Sequence, residues 1–130
     1  MEDRAEPVWI DDAIALAVHD QQLAEHGGGV GLRGGLESAL ARPVNKWNRG
    51  EKDLAALAAA YAFGIARNHP FVDGNKRTAW VLARLFIALN RMRLRFTAVD
   101  AIEAMLALAA GELSEEEMAD WFRQRTSEAA

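Results

Sequence analysis

The sequence predicts an all-α protein, a compact bundle of about six helices in one domain spanning residues 1–130. Three observations predict it. Apolar residues recur at three- and four-residue spacing in successive stretches, as in helices with a buried face. Residues that start or stop helices punctuate those stretches: Asp, Thr and Ser before them, and Gly, Asn or Pro after. The 130 residues are 51% hydrophobic and 26% charged, with no internal repeat, low-complexity tract or linker, which suits one core and excludes extended disorder.

Composition excludes several classes of function. Cysteine is absent, so there is no disulfide framework or thiolate metal site, in keeping with a reducing cytoplasm. A net charge of −4 speaks against a general nucleic-acid binder, whose affinity rests on neutralising phosphates with a basic surface. No apolar run reaches membrane-spanning length without a charge, and the acidic start Met1-Glu2-Asp3-Arg4 is unlike a secretory signal. A soluble cytoplasmic protein is expected, bound neither to membrane nor directly to nucleic acid.

The first helix is expected from Val8 to Glu25, with Ile10, Ile14, Ala17 and Val18 inward and Gly27-Gly28-Gly29 stopping it. His19 shares a stripe with Leu16 and Leu23 and reads as a structural histidine, because no acid or metal partner lies near it in sequence. Gly31 to Gly35 is a loop, and Leu36 to Arg42 a short helix ended by Pro43. Val44 to Gly50 reads as a polar connection whose one aromatic, Trp47, suits partner contact and packing equally.

Asp53 to Asn68 is the best-patterned helix. Leu54, Leu57, Ala58, Tyr61 and Ile65 form its stripe, and Ala55, Ala59, Ala60 and Ala66 keep the other faces small enough for close packing. Arg67 at its end either contacts a phosphate or caps the helix's negative end. The following helix, to Leu89, is apolar almost all round and is expected in the middle of the bundle, with Asn90 as its cap. Arg91 to Arg95 is expected to run extended with its arginines solvated. Thr97 caps a helix from Ala98 to Ala110 with Val99, Ile102, Met105, Leu106 and Ala109 inward. Ser114 to Glu117 forms a capping box for a last helix that buries Met118, Trp121 and Phe122, and the tail from Thr126 is expected to fray.

Chemistry concentrates in one turn, Asn68-His69-Pro70-Phe71-Val72-Asp73-Gly74-Asn75-Lys76-Arg77. Asp73 is placed to cap the next helix, making Gly74, Asn75 and Lys76 its first residues, with unpartnered N–H groups at the positive end of the dipole. Such an end is an anion seat. Lys76 and Arg77 add charge for phosphate oxygens, and histidine, here His69, is the side chain suited to proton abstraction near neutrality. Taken alone, Asp-Gly-Asn-Lys is equally the ordinary start of a capped helix.

The longer string His-Pro-Phe-x-Asp-Gly-Asn-Lys-Arg resembles the signature of the Fic/Doc superfamily, and Lys76 resembles its Doc, or death-on-curing, branch. Gly31-Leu32-Arg33 followed by Leu36-Glu37-Ser38-Ala39-Leu40-Ala41-Arg42-Pro43 resembles the same branch. The resemblance implies the Fic/Doc fold, with the motif loop and the helix after it binding a nucleoside triphosphate. It implies His69 as general base, Asp73 as ligand of Mg²⁺, and Gly74, Asn75, Lys76 and Arg77 around the phosphates of ATP. It also places a target-positioning flap at Val44 to Gly50.

Fic members typically transfer AMP to a protein hydroxyl, whereas the death-on-curing toxin transfers the terminal phosphate to a threonine of elongation factor Tu and stops translation. AMP-transferring relatives carry Gly and Arg where this chain has Lys76 and Trp80, which favours phosphate transfer. Gly74 is the Fic-like choice, which keeps AMP transfer as the alternative. No Ser/Thr-x-x-x-Glu-Gly/Asn inhibitory sequence is present, since Ser114 is followed four residues on by Met118. The resemblance then implies restraint by a separate, Phd-like antitoxin. A catalytically idle antitoxin-binding module is the reading from another class.

Overall fold

The structure, a computed structural model, describes residues 5–129; the acidic start invoked above lies outside the described residues. Six helices and one short strand pair run in the order α1 (Asp12–His26), α2 (Leu36–Asn48), α3 (Leu54–Asn68), α4 (Asn75–Leu89), β1 (Met92–Leu94), α5 (Ala98–Ala110), α6 (Glu115–Arg125) and β2 (Thr126–Glu128). The expected bundle of about six helices is therefore what the chain forms. No helix among the described residues is long and apolar enough to cross a membrane.

The centre of the bundle is α3 rather than the helix after the motif. Twelve of its fifteen residues are buried, against six of fifteen in α4, and it packs on α2, α4, α5 and α6. Its alanines explain this, because small side chains let neighbouring backbones close in from several sides at once. Asp53 caps it by accepting from Ala55 N at 3.0 Å. Tyr61 and Phe86 anchor the α3–α4 contact with ring centroids 5.1 Å apart, and each such buried aromatic contributes about 1.5–3 kcal/mol.

Several boundaries differ from expectation. α1 begins at Asp12, with Asp11 as cap, because residues 8–10 are held extended: Asn90 bonds both Val8 N and Val8 O, and the Tyr61 hydroxyl accepts from Ile10 N at 2.9 Å. α2 does not stop at Pro43 but runs through it to Asn48. The carbonyl of Ala39, which Pro43 cannot bond, lies against α3 at Gly64, where a side-chain carbon would come within 3.1 Å of it. The second half of α2 is tied down further by Trp47, buried against Trp9, and by Arg42 and Lys46, which reach Glu115 of α6 at 2.7 and 3.5 Å.

In α5 the inward residues are Ala101, Ala104, Met105 and Leu108, while Val99, Ile102 and Leu106 are exposed. A helix apolar on most sides has no unique phase in sequence. The tail does not fray at Thr126, since β2 pairs antiparallel with β1, Leu94 opposite Thr126. The Thr97 cap and the Ser114–Glu117 capping box form as expected.

Candidate active site

α3 ends at His69, which takes the left-handed conformation (φ 49°) that a helix C-cap usually gives to glycine. Its N–H still bonds Ile65 O at 3.2 Å, and its side chain is exposed, with no hydrogen-bond partner among the described residues. Pro70 and Phe71 then turn inward. The Asn75 amide locks this turn, accepting from Phe71 N at 3.0 Å and donating to Phe71 O at 2.9 Å.

The cap of α4 is Gly74 (φ 77°), not Asp73. The Asp73 carboxylate turns back on itself: Oδ1 accepts from Gly74 N at 2.8 Å and Oδ2 from Gly29 N at 3.3 Å. Those two N–H bonds, Gly74 first, hold its carboxyl below the usual carboxylate range, with help from the Arg77 guanidinium. Asp73 is thus an exposed carboxylate held towards its charged form.

With Gly74 N engaged by Asp73, the anion seat moves one residue on. The first helical bond runs from Thr78 N to Gly74 O, and the N–H groups of Asn75, Lys76 and Arg77 have no acceptor among the described residues. Beside them, Arg77 donates from Nη2 to Gly27 O at 3.3 Å, while its buried Nε and the buried Thr78 hydroxyl lack partners. Three aligned N–H groups and the exposed Lys76 ammonium are donors of the kind an oligophosphate takes. No cluster of three metal-ligating side chains exists among the described residues. The exposed carboxylate of Asp73 is the kind of donor Mg²⁺ takes, since that ion binds through one or two carboxylates and completes its shell with phosphate oxygens and water.

Arg67 lies elsewhere. Its guanidinium sits over Phe63 and against Gly111, the C-cap of α5, so it serves the negative end of α5 rather than its own helix. Trp80, one turn after Lys76, belongs to an aromatic cluster with Phe96, Trp121 and Phe122.

The flap expected at 44–50 is not beside the motif but forms most of the second half of α2, with Trp47 buried. The segment against the motif is instead the glycine-rich loop 27–33. Leu32 bridges Phe71, Arg33 N donates to Pro70 O at 2.7 Å, and Val72 N donates to Gly31 O at 3.0 Å. Gly28, Gly29 and His19 therefore lie against Asp73, contacts that sequence reasoning missed. Nothing in the sequence signals them, because Gly29 and His19 stand 44 and 54 residues from Asp73.

The chain is similar to the protein kinase doc of Escherichia phage P1, with 32% identity over 112 residues, covering 84% of this chain and 88% of that protein. It is also similar to the toxin Doc of Mycolicibacterium smegmatis, with 43% identity over 65 residues, 45% of this chain and 47% of that protein. The Fic/DOC family profile matches residues 9–87, from Trp9 before α1 to Ile87 near the end of α4. With the motif loop inside that span, the chain belongs to the Fic/DOC family.

Proposed function

We propose that the protein is a Doc-like toxin that transfers the terminal phosphate of ATP to a hydroxyl of a target protein. The observation that carries this reading is the open start of α4, where the N–H groups of Asn75, Lys76 and Arg77 stand unpaired beside the charged Asp73. Phosphoryl transfer needs little covalent chemistry from a protein, and positioning with charge neutralisation is what such a seat supplies.

In this reading the seat, Lys76 and Arg77 bind the phosphates, and Asp73 is the residue that would hold Mg²⁺, which when bound would supply charge neutralisation on the phosphate oxygens. His69, exposed at the mouth of the loop, takes the proton as the target hydroxyl attacks the terminal phosphorus. The new O–P bond forms as the bond to the β-phosphate oxygen breaks, and ADP leaves. Asn75 acts by shaping the loop, since its amide is occupied by Phe71. The exposed edge of residues 29–33, with Val30, Leu32 and Val72 beside the site, suits an extended segment of the target.

Trp80 in its aromatic cluster has no means of clamping a phosphate, which favours transfer of the terminal phosphate over AMP. Gly74 carries no opposing information, because its backbone at φ 77° favours glycine whatever the reaction. An antitoxin of the Phd-like kind is the proposed restraint. A groove of about 410 Å³ between α4 and α5, lined by Trp80, Phe96, Ile102, Met105 and Leu106 and opening towards Lys76, suits an amphipathic segment that folds on binding.

The test is the intact mass of elongation factor Tu, and of lysate proteins, after incubation with the protein, ATP and Mg²⁺, beside a His69→Ala control. A gain of about 80 Da that the variant does not produce is expected; about 329 Da would mean AMP transfer. No gain on any protein, with antitoxin binding kept, would replace the enzyme by a binding module.

A further inference from the structure

We propose that His19 is a positioning residue for the metal-binding carboxylate, acting by locking the peptide plane between Asp73 and Gly74. The inference rests on the reading of Asp73 given above and concerns what holds that residue in place.

His19 lies on α1 and is 4% exposed. Its Nε2 stands 2.8 Å from the backbone oxygen of Asp73. A carbonyl only accepts, so Nε2 carries the hydrogen. The imidazole is also stacked on Phe71, with centroids 3.7 Å apart and planes 7° from parallel, so neither the ring nor the loop can turn without losing the other.

The oxygen that His19 grips belongs to the same peptide unit as Gly74 N, which donates to Asp73 Oδ1. The two ends of one rigid plane are thereby tied, one to α1 and the other to the carboxylate. Rotating that plane would break both bonds, and with glycine on one side little else resists the rotation. α1 thus holds Asp73 from two directions, through His19 at the backbone and through the loop that follows it, where Gly29 N meets Oδ2. The direction in which the carboxylate faces a cation is set by a residue that touches neither cation nor nucleotide.

The replacement series follows from the atom involved. Glutamine places an amide nitrogen near the position of histidine Nε2 and keeps the donor; asparagine is too short. Phenylalanine keeps the stack and loses the bond. Mn²⁺ uptake, read by electron paramagnetic resonance with a non-hydrolysable ATP analogue, measures the carboxylate without requiring transfer. His19→Gln is expected within about threefold of wild type, and His19→Asn and His19→Phe weaker by about tenfold or more, the scale on which supports of a metal ligand act. Binding of the analogue without metal should be unchanged in all three.

Equal Mn²⁺ affinity in the wild type and the folded Asn and Phe variants would overturn the proposal while leaving the active-site reading intact. A wild type that takes up no Mn²⁺ would overturn both. Should the Asn and Phe variants not fold, the wild type decides by nitrogen NMR. The His19 Nε2–H resonance is expected to shift when Mg²⁺ and the analogue are added together, and a resonance that stays in place overturns the role.

Discussion

Gly28 stands so close to Asp73 that a side-chain carbon on it would meet Oδ2 at 2.9 Å and Cγ at 3.2 Å. The backbone of residue 28 forms a wall of the carboxylate's seat. Gly28→Ala must push the carboxylate aside, and it also strains a backbone at φ 128°. Metal-dependent transfer is expected to fall by about tenfold or more, with a stability loss of about 1 kcal/mol. Activity titrated against Mg²⁺, beside a thermal melt, separates the two effects.

His69→Gly is expected to move stability and activity in opposite directions. Glycine suits the left-handed C-cap that His69 now occupies, so unfolding should become harder by about 0.5–1 kcal/mol. Loss of the base should lower transfer by about 10²–10⁴-fold. Urea denaturation and the mass assay read the two, and a variant less stable than wild type would refute the strain argument.

Gly64→Ala offers a sign test. Helix propensity favours alanine by about 1 kcal/mol, yet the added carbon would lie 3.1 Å from both Ala39 Cα and Ala39 O and 3.2 Å from Ala39 Cβ. Two of those atoms are backbone within a helix and cannot yield cheaply. A net destabilisation of about 1–2 kcal/mol is expected, read as a lower urea midpoint.

Burial pushes the Tyr61 phenol from its ordinary 10.0 up to about 12. Folding therefore favours the neutral phenol. That contribution is complete below the unfolded pKa and is lost as pH rises through the folded one. Urea midpoints taken between about pH 8 and 11.5 should fall more steeply for wild type than for Tyr61→Phe. At pH 8 the variant should be weaker by about 1–2 kcal/mol, because Ile10 N–H loses its acceptor.

The sequence was most legible where function or geometry demands particular residue types in a row. The string from His69 to Arg77 pointed to the family, and Asp53, Thr97 and Ser114 marked helix starts that form as expected. It was least legible where tertiary contacts decide. α2 runs on through Pro43 with the carbonyl of Ala39, which Pro43 cannot bond, lying against Gly64 of α3. Val99, Ile102 and Leu106 turn outward because an almost wholly apolar helix has no preferred phase. Asp73 reads as an N-cap by residue type, but a glycine in the left-handed conformation takes that place and turns the carboxylate towards Gly29. The support supplied by His19 depends on α1 lying across the motif loop, which no local pattern encodes.

The two halves of the site differ in how long each persists. His69 hangs from α3, the most deeply enclosed helix, and its amide bonds Ile65 inside that helix; amide hydrogen exchange at Ile65 and His69 should approach the rate set by global unfolding. The partner segment 27–33 is glycine-rich, exposed and joined to the loop by few backbone bonds, so the amides of Gly29, Arg33 and Val72 should exchange through brief local openings. Each such opening would free Oδ2 of Asp73 while leaving Oδ1 on Gly74 N and His69 where it is. One oxygen of the carboxylate would then be loosened many times within the lifetime of one folded molecule, while the other keeps its bond to Gly74 N.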